Sequence, residues 1–211
     1  MMAPIERDKY MDASELNRLR AVTEAHAIID LKAGRMRGIL TWCVVDLALG
    51  TGLRVSELAK IRVGDFDLKR RSLRVWRHKR KKHERETVAI GKTLGEHLRQ
   101  FIEWKRLVGQ KTGKDAPLFV GKRGGLTPSG LQRIWITAVK RAGLPEGLSI
   151  HCARHTIAVH MLKRTGNLRM VQKQLGHASP ATTANMYADV SFEDMQNALD
   201  GLYQTENGGG K

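Results

Sequence analysis

The chain has 211 residues, with 37 lysines and arginines against 21 aspartates and glutamates, so its formal net charge is +16 with neutral histidines. A hydrophobic content of 41% supports one substantial core and excludes a wholly disordered chain. The sequence has no apolar run of about 18 residues and no leader-like start, so we expect neither a membrane span nor a secretory signal. Cys43 and Cys152 form no CxxC pair, which favours a reducing, cytoplasmic compartment. The charge favours a polyanionic partner, nucleic acid first.

The apolar periodicity predicts a mostly helical chain. Asp12 or Ser14 can cap the first helix, and Gly50 and Gly52 end a second helix over residues 39–49. A short strand is predicted over residues 117–120. Further helices are predicted over residues 94–108, 155–164, 168–175, 181–187 and 192–202.

A strongly basic segment lies between two runs of strand-forming residues. From Lys69 to Arg85, ten of seventeen residues are Lys or Arg. The strand formers are Leu73 and Val75 before the most basic stretch and Thr87, Val88 and Ile90 after it. The segment therefore predicts a basic β-hairpin, and the whole chain an α+β fold, mostly helical, with a small antiparallel sheet. The expected DNA contacts in the hairpin are Arg77, Arg80, Lys81 and Lys82.

The clearest predicted helix begins with Thr127 as its cap and Pro128 at its first position, and it ends before Gly143. Its polar face carries Gln132, Arg133 and Lys140. Such a face is ordinarily only solvated, but in a DNA-binding chain these three residues are also candidates for contact with a groove.

Two motifs that resemble known binding sites are incomplete. Gly91-Lys92-Thr93 resembles the end of a phosphate-binding loop, but Glu86 stands where the first glycine of that motif belongs, so ATP use is not indicated. His151 and His155 have the spacing of zinc-binding helical pairs, but no HExxH motif surrounds them. We therefore expect no metal site and no cofactor.

Four short segments occur in a fixed order along the chain. They are Thr51-Gly52-Leu53-Arg54-Val55-Ser56-Glu57-Leu58, His151-Cys152-Ala153-Arg154-His155, Leu175-Gly176-His177, and Tyr187 ten residues later. In this order they resemble the motifs of the tyrosine recombinase family, which includes phage integrases, Xer-type recombinases and short fimbrial-switch invertases. The resemblance extends from about Asp12 to Leu202 and implies a catalytic domain that cuts and rejoins DNA through a 3′-phosphotyrosyl intermediate.

The residue types suit that chemistry. Two guanidiniums, Arg54 and Arg154, can neutralise the nonbridging phosphate oxygens through paired hydrogen bonds. Tyr187 would attack the phosphorus and conserve the bond energy in a covalent adduct. His151 and His177 can donate hydrogen bonds to the phosphate or move the tyrosine proton.

The resemblance also implies a lysine from the hairpin that protonates the leaving 5′-oxygen. Lys79 matches that position best, followed by Lys81 and Lys82. Glu57 is expected to orient Arg54, and His155 to support the site from behind.

The expected organisation is a lead-in over residues 1–11, a catalytic domain over 12–203, and a disordered tail over 204–211. The N-terminal DNA-clamping domain of most relatives is expected to be absent, in either a dissected fragment or a naturally short member. The expected partners are double-stranded DNA and further copies of the chain, in a tetramer on DNA near the nucleoid. A topoisomerase-like relaxing activity and a non-catalytic DNA-binding regulator are the alternatives.

Overall fold

The computed structural model describes residues 10–79 and 82–176, and at His78, Lys79, Lys82 and His83 it describes the backbone. Within this part seven α-helices accompany two small antiparallel sheets, which confirms the predicted α+β, mostly helical fold. The helices are α1 Ala13–Lys32, α2 Arg37–Thr51, α3 Val55–Leu58, α4 Lys92–Leu107, α5 Pro128–Arg141, α6 Ile150–Thr165 and α7 Leu168–Leu175. The predicted helices over 181–187 and 192–202 lie outside the described residues.

Helix α2 forms the centre of the core. It contacts α1, α4, α5 and α6, and most of its residues are buried, as expected for a helix that is apolar on nearly all sides. The helix ends at Gly52, whose φ of +67° places it in the left-handed region. A Cβ atom at Gly52 would lie 2.4 Å from Cγ2 of Ile157 on α6, so a glycine here allows both the turn and the close packing of α6.

The N-terminal segment is attached to α6 before α1 begins. The Asp12 side chain accepts a hydrogen bond from the Glu15 amide at 2.8 Å, and the Glu15 side chain accepts one from the Asp12 amide at 2.9 Å. This capping box identifies Asp12, not Ser14, as the cap of α1. Met11 is fully buried, and its amide donates to Thr156 Oγ1 at 2.9 Å.

The larger sheet has three strands in the order β1 (Phe66–Asp67), β2 (Ser72–Lys79) and β3 (Lys82–Ala89). Strands β2 and β3 pair without interruption from Ser72↔Ala89 to Lys79↔Lys82, which confirms the basic hairpin. A 3-10 helix, Val63–Asp65, precedes β1.

The strand predicted over residues 117–120 is largely wrong. Only Val120–Gly121 (β4) forms a strand, and it pairs with Gly124–Gly125 (β5). Pro117 makes an isolated bridge with Arg62, and the Leu118 amide donates to Ile61 O at 2.9 Å. A proline lacks the amide that a continuous ladder needs, so this segment is held by single bonds.

Contacts from α5 hold the start of α6. Thr127 caps α5 with Pro128 at its first position, as predicted. Helix α6 begins at Ile150, five residues before the helix predicted over 155–164 but directly before the segment His151–His155, which by itself indicates a helix start. The Gln132 side chain on α5 accepts a hydrogen bond from the Ile150 amide at 3.2 Å, which stabilises a first turn that lacks a side-chain cap of its own. Gln132 is half-buried and makes this contact within the protein through its side-chain oxygen, while its expected contact with DNA stays a prediction.

No helix in the described part of the chain is both long enough and apolar enough to cross a membrane.

Replacement of Gln132 tests this α5–α6 contact. We expect Gln132→Ala to lower the free energy of unfolding by about 1 kcal/mol, because it removes one hydrogen bond at a helix start. Gln132→Glu keeps an acceptor and should cost less. The matched control is Arg133→Ala, an exposed neighbour on α5 that should leave stability unchanged. Urea denaturation measures all three, and equal stability of the wild type and Gln132→Ala would contradict the contact.

Candidate active site

Arg54 lies at the start of α3, directly after the turn made by Gly52. The Glu57 side chain accepts a hydrogen bond from the Arg54 amide at 2.9 Å and another from Arg54 Nη1 at 3.0 Å. Glu57 is buried, whereas 43% of the Arg54 side chain is exposed. The guanidinium is therefore held in a defined direction by a buried carboxylate and is still open to a ligand from solvent.

Arg154 connects three parts of the chain. It lies on α6 with 6% exposure, and its guanidinium donates to Gly52 O and to Leu175 O, each at 2.8 Å. These carbonyls end α2 and α7, so one side chain joins both helix ends to α6.

The positive charge of the arginines at this site exceeds the negative charge of its carboxylates. The pKa of Arg154 is lowered to about 10, chiefly by burial, then by the charge of Arg54 and, after the opposing effect of Glu57, by that of Arg77. The positive charges of Arg54 and Arg77 disfavour a further cation and favour an anion, whereas Glu57 opposes them. A phosphate diester placed against Arg54 and Arg154 would relieve this repulsion.

Arg77 is buried beneath this site, contrary to the expectation that it contacts DNA. Only 2% of the residue is exposed. Its Nη1 donates to Glu86 Oε2 at 2.7 Å and its Nη2 to Gln174 O at 2.9 Å, while Nε lies 3.8 Å from Glu57 Oε1. A guanidinium enclosed by these partners does not reach a phosphate at the surface.

The end of α7 leads towards the predicted LGH histidine. The Gln174 side chain donates to Ala89 O at 3.0 Å and accepts from the Ala89 amide at 3.2 Å, which joins α7 to β3. Gly176 ends the helix with a φ of +66°. His177 is the next residue, and it lies outside the described part of the chain.

The remaining predicted site residues divide into two groups. His151 is exposed on the first turn of α6, three residues before Arg154, and His155 is half-buried on the same helix. Lys79 is the last residue of β2, and Lys82 is the first of β3. Arg133 and Lys140 are exposed on α5, as a DNA contact requires. The predicted site residues that lie outside the described residues are Arg80, Lys81, His177 and Tyr187.

Among the described residues, no three His, Cys, Asp or Glu side chains are grouped closely enough to hold a metal ion.

Sequence reasoning missed two links within the site. One is the burial of Arg77. The alternation of residues in β2 indicates it, because Leu73 and Val75 are buried and Arg77 follows at the same spacing of two, on the same face of the strand. The other is Gln174, whose pairing with a backbone 85 residues away leaves no local pattern.

Comparison with known sequences identifies the family of this chain. The family model described as the phage integrase family matches residues 9–194. Tyrosine recombinase XerC of Actinobacillus pleuropneumoniae serotype 7 (strain AP76) is 31% identical over 196 residues, which cover 92% of this chain and 59% of that protein. XerC of Bifidobacterium longum (strain DJO10A) is 35% identical over 162 residues, which cover 73% of this chain and 44% of that protein.

Solved structures give the same result for the fold. The crystal structure of XerA recombinase superposes with a TM-score of 0.72 at 25% identity, over 95% of this chain and 65% of that one. XerH site-specific recombinase bound to its difH substrate, in a pre-cleavage complex, has a TM-score of 0.72 at 20% identity, over 94% of this chain and 55% of that one.

The chain thus spans about half to two thirds of the length of these relatives. The resemblance seen in the ordered motifs is confirmed by the match over residues 9–194: the chain belongs to the phage integrase family.

Proposed function

We propose that this chain acts as a tyrosine-type site-specific DNA recombinase. It would cut and rejoin one DNA strand at a time through a covalent 3′-phosphotyrosyl intermediate, without metal or ATP. The observation that carries the proposal is that Arg54 and Arg154, one hundred residues apart in sequence, lie at one cationic site. Arg54 is paired with Glu57 on its own helix, and Arg154 binds Gly52 O two residues before Arg54. The relatives named tyrosine recombinases, and the XerH structure with its substrate, support it.

The two arginines would stabilise charge on the nonbridging oxygens of the scissile phosphate. Arg54 offers an exposed guanidinium fixed by Glu57. Arg154 uses two of its five N–H donors on Gly52 O and Leu175 O, so donors remain for an oxygen. Both groups are positioned before the substrate arrives, which is the condition for electrostatic stabilisation of a transition state.

Tyr187 is the proposed nucleophile. Its attack on phosphorus forms the phosphotyrosyl bond and breaks the bond to the 5′-oxygen, and the reverse attack restores the strand. His151 and His177 would bind the phosphate or move the tyrosine proton. His155 would support them from α6.

Lys79 is the proposed acid for the departing 5′-oxygen, with Lys81 and Lys82 as alternatives. It ends β2 two residues after the buried Arg77. The continuous pairing of β2 with β3 connects the end of the hairpin to Arg77.

The proposed partners are double-stranded DNA and other copies of the chain, in a tetrameric synapse. The hairpin residues Arg80, Lys81 and Lys82 and the α5 residues Arg133 and Lys140 are the proposed DNA contacts. We place the catalytic domain at residues 12–203 and the activity in the cytoplasm, at the nucleoid.

Substitution of the nucleophile tests the chemistry. Tyr187→Phe removes only a hydroxyl, so we expect it to bind DNA like the wild type and to form no covalent adduct. The substrate is a nicked duplex whose site is first selected from a random-sequence library by binding to Tyr187→Phe. Denaturing electrophoresis detects the adduct. An adduct in the variant would contradict the assignment of Tyr187, and no adduct in the wild type would favour a non-catalytic regulator.

A sulfur atom at the bridging 5′ position separates the acid from the arginines. A thiolate leaves readily at neutral pH without a proton, so this substrate should restore cleavage to Lys79→Ala. It should leave Arg54→Ala and Arg154→Ala defective, because their charge acts on the nonbridging oxygens. Single-turnover cleavage of the oxygen and sulfur substrates measures the difference.

Lys81→Ala and Lys82→Ala serve as matched controls in that experiment. Only the true acid should be slow on oxygen and rescued by sulfur. If Lys79→Ala cleaves the oxygen substrate at the wild-type rate, the acid is another hairpin residue.

Salt dependence tests the proposed hairpin contacts. Replacement of Arg80, Lys81 and Lys82 by Gln should weaken DNA binding and flatten the plot of log K against log salt by about 0.9 for each phosphate that is no longer neutralised. The control removes three exposed charges outside the hairpin, Lys32, Lys111 and Lys114, and so has the same net charge. Equal slopes for the two triple variants would exclude a specific role for the hairpin.

A further inference from the structure

We propose that Arg77 is a positioning residue that joins the hairpin, the Arg54–Glu57 pair and the end of α7 into one active site. The inference rests on the function proposed above and adds to it a residue that would not touch DNA. Three bonds or close approaches carry it: to Glu86 on β3, to Gln174 on α7, and to Glu57 on α3.

Arg77 and Arg154 both bind the C-terminal end of α7. The last carbonyls of a helix have no partner within the helix, and cations near them are favourable. Here Arg77 binds Gln174 O and Arg154 binds Leu175 O, at 2.9 and 2.8 Å. Two guanidiniums therefore fix consecutive carbonyls immediately before Gly176, which leads to His177.

Gly176 itself lies against Arg77. A Cβ atom built on Gly176 would lie 1.8 Å from Arg77 Nη1, so no side chain fits there unless Arg77 moves. The contact means that a displacement of the Arg77 side chain changes the packing of the residue directly before His177.

Arg77 also lies close to Glu57, the carboxylate that pairs with Arg54. Its Oε1 accepts from Arg54 Nη1 at 3.0 Å and lies 3.8 Å from Arg77 Nε. The carboxylate is thus placed between an exposed guanidinium and a buried one. Without Arg77, Glu57 would lose a cation on its buried side, and the orientation of Arg54 would depend on the local bonds within α3.

Arg77 also links the two strands of the hairpin. The pair between Arg77 Nη1 and Glu86 Oε2 crosses from β2 to β3, at 2.7 Å. Such a diagonal cross-strand pair keeps the two strands in register. Lys79, the proposed acid, ends β2 two residues later.

Burial makes a purely stabilising role a poor explanation of Arg77. Removing a charge from water costs several kcal/mol, and an apolar residue of similar volume commonly stabilises a protein equally well at such a place. An apolar residue could not bind Gln174 O and two carboxylates at once. Arg77 therefore holds the catalytic segments in their positions relative to one another.

The test compares Arg77→Lys and Arg77→Met with the wild type. Lysine keeps the charge but cannot span three partners, and methionine keeps much of the volume without the charge. Arg85→Met is the matched control, because Arg85 is also a hairpin arginine paired with a carboxylate, Asp65 at 3.4 Å. Each protein is assayed, well below its unfolding temperature, on the nicked duplex selected with Tyr187→Phe. The readouts are DNA affinity and the single-turnover rate of adduct formation at saturating DNA.

For both Arg77 variants we expect the adduct to form about 100-fold more slowly, since misplacement by about 1 Å has effects of this size. DNA affinity should stay within about threefold, because Arg77 is buried and the groups it contacts in the described structure belong to the protein. Arg85→Met should form the adduct at a rate near that of the wild type.

Four results would overturn the inference. A wild-type rate in Arg77→Lys or Arg77→Met would show that the three links are not needed. Parallel losses of affinity and rate would indicate DNA binding, and loss of folding in both variants would assign Arg77 to stability alone. If the wild type itself forms no adduct, the proposed function fails, and the role of Arg77 in it fails for that separate reason.

Discussion

The structure of the candidate site depends on one buried carboxylate. Glu57 accepts hydrogen bonds from the amide and the guanidinium of Arg54 and lies close to the buried guanidinium of Arg77. It also raises the pKa of Arg154, against the effects of burial and of the other two arginines. Without this carboxylate three neighbouring cations would repel one another with too little compensation. Glu57 thus allows a dense positive site to exist before any phosphate is bound.

Much of the fold could be predicted because the signals are local. Helix α5 begins at a capping threonine followed by a proline, and Gly143 adopts a positive φ just beyond its end. The basic hairpin shows the same agreement, since strand formers flank its charged stretch and the pairing is continuous. Arg54 and Arg154 were found through ordered motifs, and the structure brings them together although one hundred residues separate them.

The remaining features could not be predicted because their causes are distant in sequence. The contact that holds the start of α6 is one example, since the Gln132 side chain that binds the amide of Ile150 comes from another helix. The basic composition of the hairpin predicts a DNA contact for Arg77, because a cation within such a segment has the residue type of a surface contact. Its burial and its partners differ from that expectation, and its partner on α7 lies 97 residues away.

The double use of Arg154 has an evolutionary consequence. The side chain satisfies the carbonyls of Gly52 and Leu175, and its loss would leave both without this donor, so selection for a folded protein also acts on it. A descendant that had lost the ability to cut DNA would keep this arginine long after its more exposed counterpart, Arg54, had drifted.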